Sequence, residues 1–199
     1  MKTATFDTVF FDIDTEIDFL YPAGALYVPG AEQVVEQIAA LNRFAAAQGI
    51  PVISTMDAHA EDDPEFKAWP PHCVAGTAGQ QKTAATLLER RIVVPNIPTP
   101  VPLDGAQQFL IEKQTFDCFT NVNLAQLLER FGAERYVVYG VVTEICVKMA
   151  TDGLLKTGKR VELVTDAVRS LDDAAAAQMT AAFLKEGGIL TTVGTATRS

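Results

Sequence analysis

Tyr136-Val137-Val138-Tyr139-Gly140-Val141-Val142-Thr143-Glu144-Ile145-Cys146 is a β-favouring apolar run that stops at a cysteine. Beyond it Val147, Met149, Ala150, Leu154 and Leu155 fall at helical spacing, and the pattern ends at Lys156, two residues before Gly158. A strand, a tight turn and a helix in that order form the repeating unit of a parallel α/β sheet. The turn puts Cys146 near unsatisfied backbone N–H groups and the positive end of a helix dipole, and both favour a thiolate over a thiol. A lone cysteine is more commonly a small buried hydrophobe. Chemistry at Cys146 therefore depends on what the rest of the chain brings to it.

The same alternation extends in both directions. Upstream, Phe6 to Ile13 reads as a buried strand ending at Asp14, and Gly30 to Gln48 as a helix (Val34, Val35, Ile38, Leu41, Phe44, Ala45) closed by Gly49. Pro51 to Met56 is a second strand, ending at Asp57. Residues 58–79 are a long polar loop with Pro64, Pro70, Pro71, Gly76 and the only tryptophan, a length that is usually functional inside a compact domain. A modest helix is expected near Ala84 to Arg90, and Pro95 to Pro102 reads as an extended surface connection. Gln108 to Glu112 is a third strand ending at Lys113, and Asn121 caps a helix over Val122 to Phe131. Past the Cys146 helix come a strand over Val161 to Thr165, a helix over Leu171 to Lys185 capped by Asp172 or Ser170, and a strand over Ile189 to Val193.

Six strands alternating with helices predict a single three-layer α/β/α domain over residues 1–199, its parallel sheet in the Rossmann-like order 3-2-1-4-5-6. In such a sheet the carboxyl ends of all strands share one edge, and ligands bind where the strand order reverses. Strands one and four flank that point, so Asp14 and Cys146 should face each other across it.

Composition narrows the function. With 48% hydrophobic residues and a net charge of −9, the 199-residue chain fits a globular domain and not a nucleic-acid or anionic-lipid surface. No stretch approaches the roughly 20 apolar residues that a membrane span requires. Asp7 and Asp12 break the first apolar run, which removes a secretory signal. Three cysteines without framework spacing point to free thiols in a reducing, cytoplasmic setting.

Asp14, Lys113 and Cys146 form a candidate catalytic set. A thiol attacking an amide needs a group to take its proton and return it to the leaving nitrogen. The chain has only two histidines, His59 and His72, and both lie in the long loop. A carboxylate whose pKa is raised by burial can replace the usual histidine, with a nearby ammonium favouring the thiolate. Asp57-Ala58-His59 together with His72 supplies three N/O ligands of the kind that hold zinc, with iron or manganese as substitutes. Asp63 and Glu65 are further contacts to consider, and Cys73 is expected to pack. Phe19, Tyr21, Trp69 and Phe119 follow strands one to three and can wall a pocket for a flat ring.

Four segments, in order, resemble those of the nicotinamidase/isochorismatase-like cysteine hydrolases, with closest similarity to the nicotinamidase branch. Asp14-Thr15-Glu16-Ile17-Asp18-Phe19 resembles the family's D-x-Q-x-D-F, continued by Pro22 to Leu26 and Val28-Pro29-Gly30. Asp57-x-His59 with Trp69-Pro70-x-His72-Cys73-Val74 is similar to its metal segment, Lys113 follows a strand as its lysine does, and Gly140 to Val147 resembles G-x-x-T-[DE]-x-C-V. Three positions depart from the pattern. Glu16 replaces a glutamine, Ala58 stands where a tryptophan is usual, and Asp63 where a further histidine is often found.

The resemblance implies the isochorismatase-like fold and a catalytic triad: Cys146 as nucleophile, Asp14 as base then acid, and Lys113 orienting both. It implies a cis peptide between Val142 and Thr143, an oxyanion hole of N–H groups around Thr143 and at Cys146, and substrate contacts from Phe19, Leu26, Trp69 and Phe119. It implies a divalent metal, zinc first, on Asp57, His59 and His72 that meets a ring nitrogen. The expected activity is hydrolysis of a small carboxamide such as nicotinamide through a cysteine thioester. The alternatives are hydrolysis of a carbamoyl or ureido compound and a non-catalytic thiol-sensing module. The expected partner is a small-molecule amide, with no nucleic acid and no membrane, and a homo-oligomer is left open.

Overall fold

The computed structural model of the chain describes residues 6–198. Strand β1 (Thr8–Ile13) lies near the middle of a fully parallel sheet, between β2 (Val52–Asp57) and β5 (Arg135–Val141). Outward from β2 run β4 (Gln108–Lys113) and the edge strand β3 (Arg91–Val94), and outward from β5 run β6 (Arg160–Arg169) and β7 (Ile189–Thr191). The order β3-β4-β2-β1-β5-β6-β7 contains the six expected strands in the expected sequence, with one strand added at an edge.

The added strand corrects the reading of residues 84–94. Only a single 3₁₀ turn, Ala84–Thr86, forms where a helix was expected. The backbone groups a helix would use are taken by side chains of the neighbouring core. Gln108 Oε1 accepts the Leu88 N–H at 2.7 Å, while Asn42 Nδ2 and Gln108 Nε2 both donate to the Thr86 carbonyl. The chain then runs extended beside β4, from Arg91 opposite Gln108 to Val94 opposite Ile111. A four-residue edge strand with half its side chains exposed carries too little alternation to announce itself.

Alternation along β1 divides the core. Val9, Phe11 and Ile13 face one side, against α3 (Leu124–Phe131), α4 (Lys148–Leu155) and α5 (Asp173–Lys185). Phe10 faces the other, against α2 (Val35–Gln48) and α6 (Val193–Ala196). A short turn of helix, α1 (Ile17–Leu20), follows β1 at the carboxyl edge. In α3 the buried residues Leu124, Leu127, Leu128 and Phe131 keep strict helical spacing, each contributing on the order of 2 kcal/mol by leaving water. Three caps fall where the sequence implies: Gly49 and Gly132 are left-handed, and the Asp172 carboxylate accepts the Ala174 and Ala175 N–H groups, whereas α3 starts after Asn123, two residues beyond the expected Asn121 cap. The strand expected over Val161 to Thr165 runs on through Asp166 and Ala167, because a register shift lets β6 continue to Arg169 beside Val141. Among the described residues no helix is long and apolar enough to cross a membrane.

Gly140 sits at that shift with φ of 117°, and a Cβ there would lie 2.1 Å from the Ile13 carbonyl oxygen. Contact with backbone cannot be relieved by a rotamer change, and the φ disfavours any L side chain. Gly140→Ala is therefore expected to lower unfolding free energy by at least about 2 kcal/mol. An unchanged urea midpoint would contradict this account of the strand end.

Candidate active site

The site begins where β1 stops. Asp14 takes a left-handed conformation with φ of 47°, which for a non-glycine residue costs on the order of 1 kcal/mol and needs an external hold. Thr55 of β2 supplies the hold, its hydroxyl accepting the Asp14 N–H at 3.2 Å and donating to Oδ1 at 2.6 Å. The carboxylate is thereby directed at Lys113, whose Nζ is 2.9 Å from Oδ2. No well-aligned donor reaches Oδ2, so Lys113 holds it by charge and a lone pair remains for a proton. Lys113 ends β4 in register with Asp57 of β2, and its ammonium also contacts Asp57 Oδ1 and lies 3.9 Å from Cys146 Sγ. Burial would drive the Lys113 ammonium down in pKa, but Asp14, Asp57 and Cys146 outweigh it and hold it well above its ordinary value.

Cys146 follows β5 in a five-residue π turn, Thr143–Val147, that leads into α4. The Val142 carbonyl accepts from both Ile145 and Val147 N–H, and neither Val142 nor Cys146 N–H meets an acceptor outside the turn. The cis peptide lies between Val141 and Val142, one residue before the expected position. Val141 is still held in the ladder against Arg169, and the chain changes direction directly after it. The thiolate expectation is also corrected. Burial, together with the negative charges of Asp14 and Asp57, pushes the Cys146 thiol well above its ordinary range, more than Lys113 draws it down. The sulfur rests as a thiol, with the Lys113 ammonium 3.9 Å away. Such a thiol needs a neighbouring base before it can attack, because it is not ionised in advance.

Asp57, His59 and His72 converge beside the triad, each bringing one ligand atom to within 4.8 Å of the others. Their ring tautomers suit metal binding. His59 Nδ1 bonds to Asp63 Oδ2 at 3.0 Å, and His72 Nδ1 donates to the Pro70 carbonyl at 2.8 Å, so the Nε2 atoms of both rings face inward. His59 Nε2 is buried and has no hydrogen-bond partner, its distance of 3.7 Å to Asp57 Oδ2 being too long for one. An orphaned imidazole nitrogen, a second one and a carboxylate oxygen together fit a divalent metal. Of the two further acids, Asp63 buttresses His59 from behind, whereas Glu65 Oε1 lies 3.8 Å from His72 Nε2 on the ligand side. Glu16, Asp57 and Cys73 also approach one another. That group is no metal site, because burial holds the Cys73 thiol far up and donors occupy both Glu16 oxygens.

A cavity of about 350 Å³, partly open to solvent, reaches down to Cys146, Asp57 and His72. Its other walls are Phe19, Leu26, Val28, Trp69, Phe116, Val142, Ile145 and Leu171. Phe19, Leu26 and Trp69 are thus where they were expected, and Phe119 is not. The loop after β4 forms a 3₁₀ turn over Cys118–Thr120 that points Phe119 at α4, where it fills the space left by Gly153. Phe116, in edge-to-face contact with Trp69, takes the expected place of Phe119. Tyr21 turns away to bond Thr83.

Supporting residues were harder to see in the sequence. Asp18 accepts the Ala25 N–H with one oxygen and the Cys73 N–H with the other, which fixes the chain beside His72. A Cβ at residue 79 would lie 2.1 Å from an Asp18 oxygen, hence Gly79. Asp63 before Pro64 carried a legible signal, an Asx cap on the turn that presents Glu65. Glu144, inside the turn, accepts the Leu171 and Asp172 N–H groups and so ties the nucleophile segment to a pocket wall.

A cysteine, a carboxylate and a buried lysine gather at the switch point of a doubly wound sheet, where α/β enzymes bind their ligands. The Isochorismatase domain family matches residues 8–195, and the chain belongs to that family. It is 22% identical over 195 residues to the nicotinamidase of Saccharomyces cerevisiae, an alignment that covers 81% of this chain and 87% of that one. Its fold is similar to that of the pyrazinamidase of Pyrococcus horikoshii in complex with zinc, with a TM-score of 0.78, 24% identity, and 94% and 99% of the two chains covered. It is also similar to PnC1 from L. infantum in complex with nicotinate, with a TM-score of 0.75, 28% identity, and 98% and 95% covered.

The histidines make metal uptake pH-dependent. Burial lowers the pKa of His59, but the carboxylates of Asp57 and Asp63 outweigh it and raise the ring to about 9, whereas burial keeps His72 below its ordinary value. At neutral pH the ring of His59 therefore carries a proton that a metal must displace, and that of His72 does not. Zinc binding at pH 7 should release about one proton per site, with apparent affinity falling about tenfold for each pH unit below the His59 value. Calorimetry in two buffers of different ionisation heat measures the release, and a value near zero would overturn this assignment.

Proposed function

We propose that this chain hydrolyses the carboxamide of a small flat ring compound, with nicotinamide the first to test, through a thioester on Cys146. The observation that carries the reading is a single buried ammonium, Lys113, within 2.9 Å of Asp14 and 3.9 Å of Cys146, behind the Cys146 wall of an apolar cavity. Asp14 takes the thiol proton as Sγ attacks the amide carbon, and returns it to the nitrogen that leaves as ammonia. Asp14 then takes a proton from water as the water oxygen adds to the thioester carbon, and passes that proton to the departing Cys146 sulfur, which frees the acid and restores the thiol. Backbone N–H groups at Val142–Thr143 and at Cys146 face the developing oxyanion, whose charge exists only near the transition state. Lys113 keeps the carboxylate aligned through both half-reactions.

Aromatic and aliphatic walls from Phe19, Leu26, Trp69 and Phe116 favour a planar ring over a flexible chain. A divalent metal on Asp57, His59 and His72, zinc first with iron or manganese as substitutes, supplies a Lewis-acid contact for a ring nitrogen when bound. Two observations weigh against the alternatives. A carbamoyl or ureido substrate bearing a carboxylate needs a cation in the wall, and no Lys or Arg lines the cavity. A redox-sensing thiol needs a ready thiolate, and Cys146 is held as a thiol.

Purified protein supplied with zinc should release ammonia from nicotinamide, and Cys146→Ala should lower kcat at least about a thousandfold with the fold intact by circular dichroism. Turnover by the alanine variant would remove Cys146 from the mechanism. Turnover of a different amide, with none on nicotinamide, would move the substrate and leave the mechanism standing.

A further inference from the structure

Strand β2 outruns β1. Their pairing ends at Asp12 opposite Ser54, and Asp14 has turned aside, while β2 continues beside β4 as far as Asp57. Alternation of peptide direction leaves the Thr55 carbonyl and the Asp57 N–H aimed at the side that β1 has vacated. Neither is left bare. Lys82 Nζ donates to the Thr55 carbonyl at 2.7 Å, and Glu16 Oε1 accepts the Asp57 N–H at 2.6 Å. Glu16 and Lys82 are themselves opposite partners in an antiparallel bridge, held by Ile17 N–H to Gln81 O at 2.9 Å and Thr83 N–H to Thr15 O at 3.1 Å. Both side chains are buried, and Lys82 Nζ is 3.5 Å from Glu16 Oε2, with Asp12 at 3.9 Å as the only other acid within ion-pair reach among the described residues.

We propose that Glu16 and Lys82 are a matched positioning pair that replaces the missing end of β1, fixing Thr55 behind Asp14 and Asp57 at the metal group. Its link to catalysis rests on the amidase reading above, but its geometry does not. The two peptide groups have opposite polarity, so one needs a donor and the other an acceptor. A charged residue of each sign meets both needs, and each balances the other away from water. Burial pushes the Glu16 carboxyl well above its ordinary value and Lys82 draws it back; the donors that meet its two oxygens, the Asp57 N–H and the Lys82 ammonium, suit a carboxylate and not an amide. Glu16→Gln would keep an oxygen on the Asp57 N–H but turn its NH₂ toward the Lys82 ammonium, donor against donor. The glutamine of the related D-x-Q-x-D-F pattern is therefore the wrong residue here while Lys82 is present. Neither side chain lines the cavity, so the pair acts through Thr55 and Asp57.

A double-mutant cycle tests this. Glu16→Gln and Lys82→Met should each weaken zinc binding at least about tenfold, measured by competition with a chromophoric chelator well below the thermal transition. Glu16→Gln/Lys82→Met removes both charges and the donor clash, and should return to within about threefold of the parent. On any amide the protein turns over, the single variants should lose kcat with little change in KM. A merely structural role would lower thermal stability and leave zinc affinity of the folded protein unchanged. Full zinc affinity in Glu16→Gln, or a double variant as weak as the sum of the singles, would overturn the pairing. Should Lys82→Met alone not fold, comparing Glu16→Gln with the double variant decides the same question. The zinc titration needs no substrate, so failure of the pairing is distinguishable from failure of the amidase reading.

Discussion

The buried ammonium of Lys113 is the constraint on which the site depends. Moving such a charge out of water costs several kcal/mol even after relaxation, and the cost is met only by good partners. Lys113 has two, Asp14 and Asp57, brought from different strands by a parallel register that sets Lys113 beside Asp57 and a left-handed residue that turns Asp14 toward both. Each carboxylate needs the lysine as much as the lysine needs them. Removing Lys113 would leave two carboxylates without a counter-charge in the sheet edge, a loss typically worth about 3–5 kcal/mol. Geometry at Cys146 is therefore a consequence of fold stability, and the thiol is placed by groups that cannot easily move.

Asp57 joins the two halves of the site. One oxygen contacts Lys113, and the other lies 3.7 Å and 3.9 Å from the Nε2 atoms of His59 and His72. The two histidines and the Lys113 ammonium thus share this carboxylate, so the histidine cluster and the Cys146 side of the site are not independent. Asp57 is in turn fixed by its place at the end of β2, where its N–H is held from the side that β1 has left. Selection at the mouth has a different origin. Charged groups gather at the floor, whereas the upper walls are hydrocarbon, and shape and planarity set what enters.

Much of this was legible in sequence because it follows from local rules. Periodicity gave the six principal strands and their order, and strand ends gave Asp14, Asp57 and Lys113, since chemistry on a parallel sheet must lie at its carboxyl edge. The histidines were legible because the chain has only two of them and both fall in one long loop. The misses share a cause. Strand β3, the place of Phe119 and the state of the Cys146 thiol depend on what packs against each segment from distant parts of the chain. Helix propensity over 84–90 lost to the Gln108 and Asn42 side chains that engage the backbone there. The helix-dipole argument for a thiolate lost to burial and two nearby carboxylates.

The sequence by itself determined the layer architecture, the residues of the nucleophile turn and the donor set of the metal group, because spacing and residue type suffice for these. Only the tertiary structure decided that Asp63 supports while Glu65 faces the ligands, and that Phe116 replaces Phe119 on the cavity wall. It also paired Glu16 with Lys82, 66 positions along the chain, across the gap where β1 ends. Such choices turn on desolvation and hydrogen-bond polarity, and those exist only once the chain has excluded water from the sheet edge.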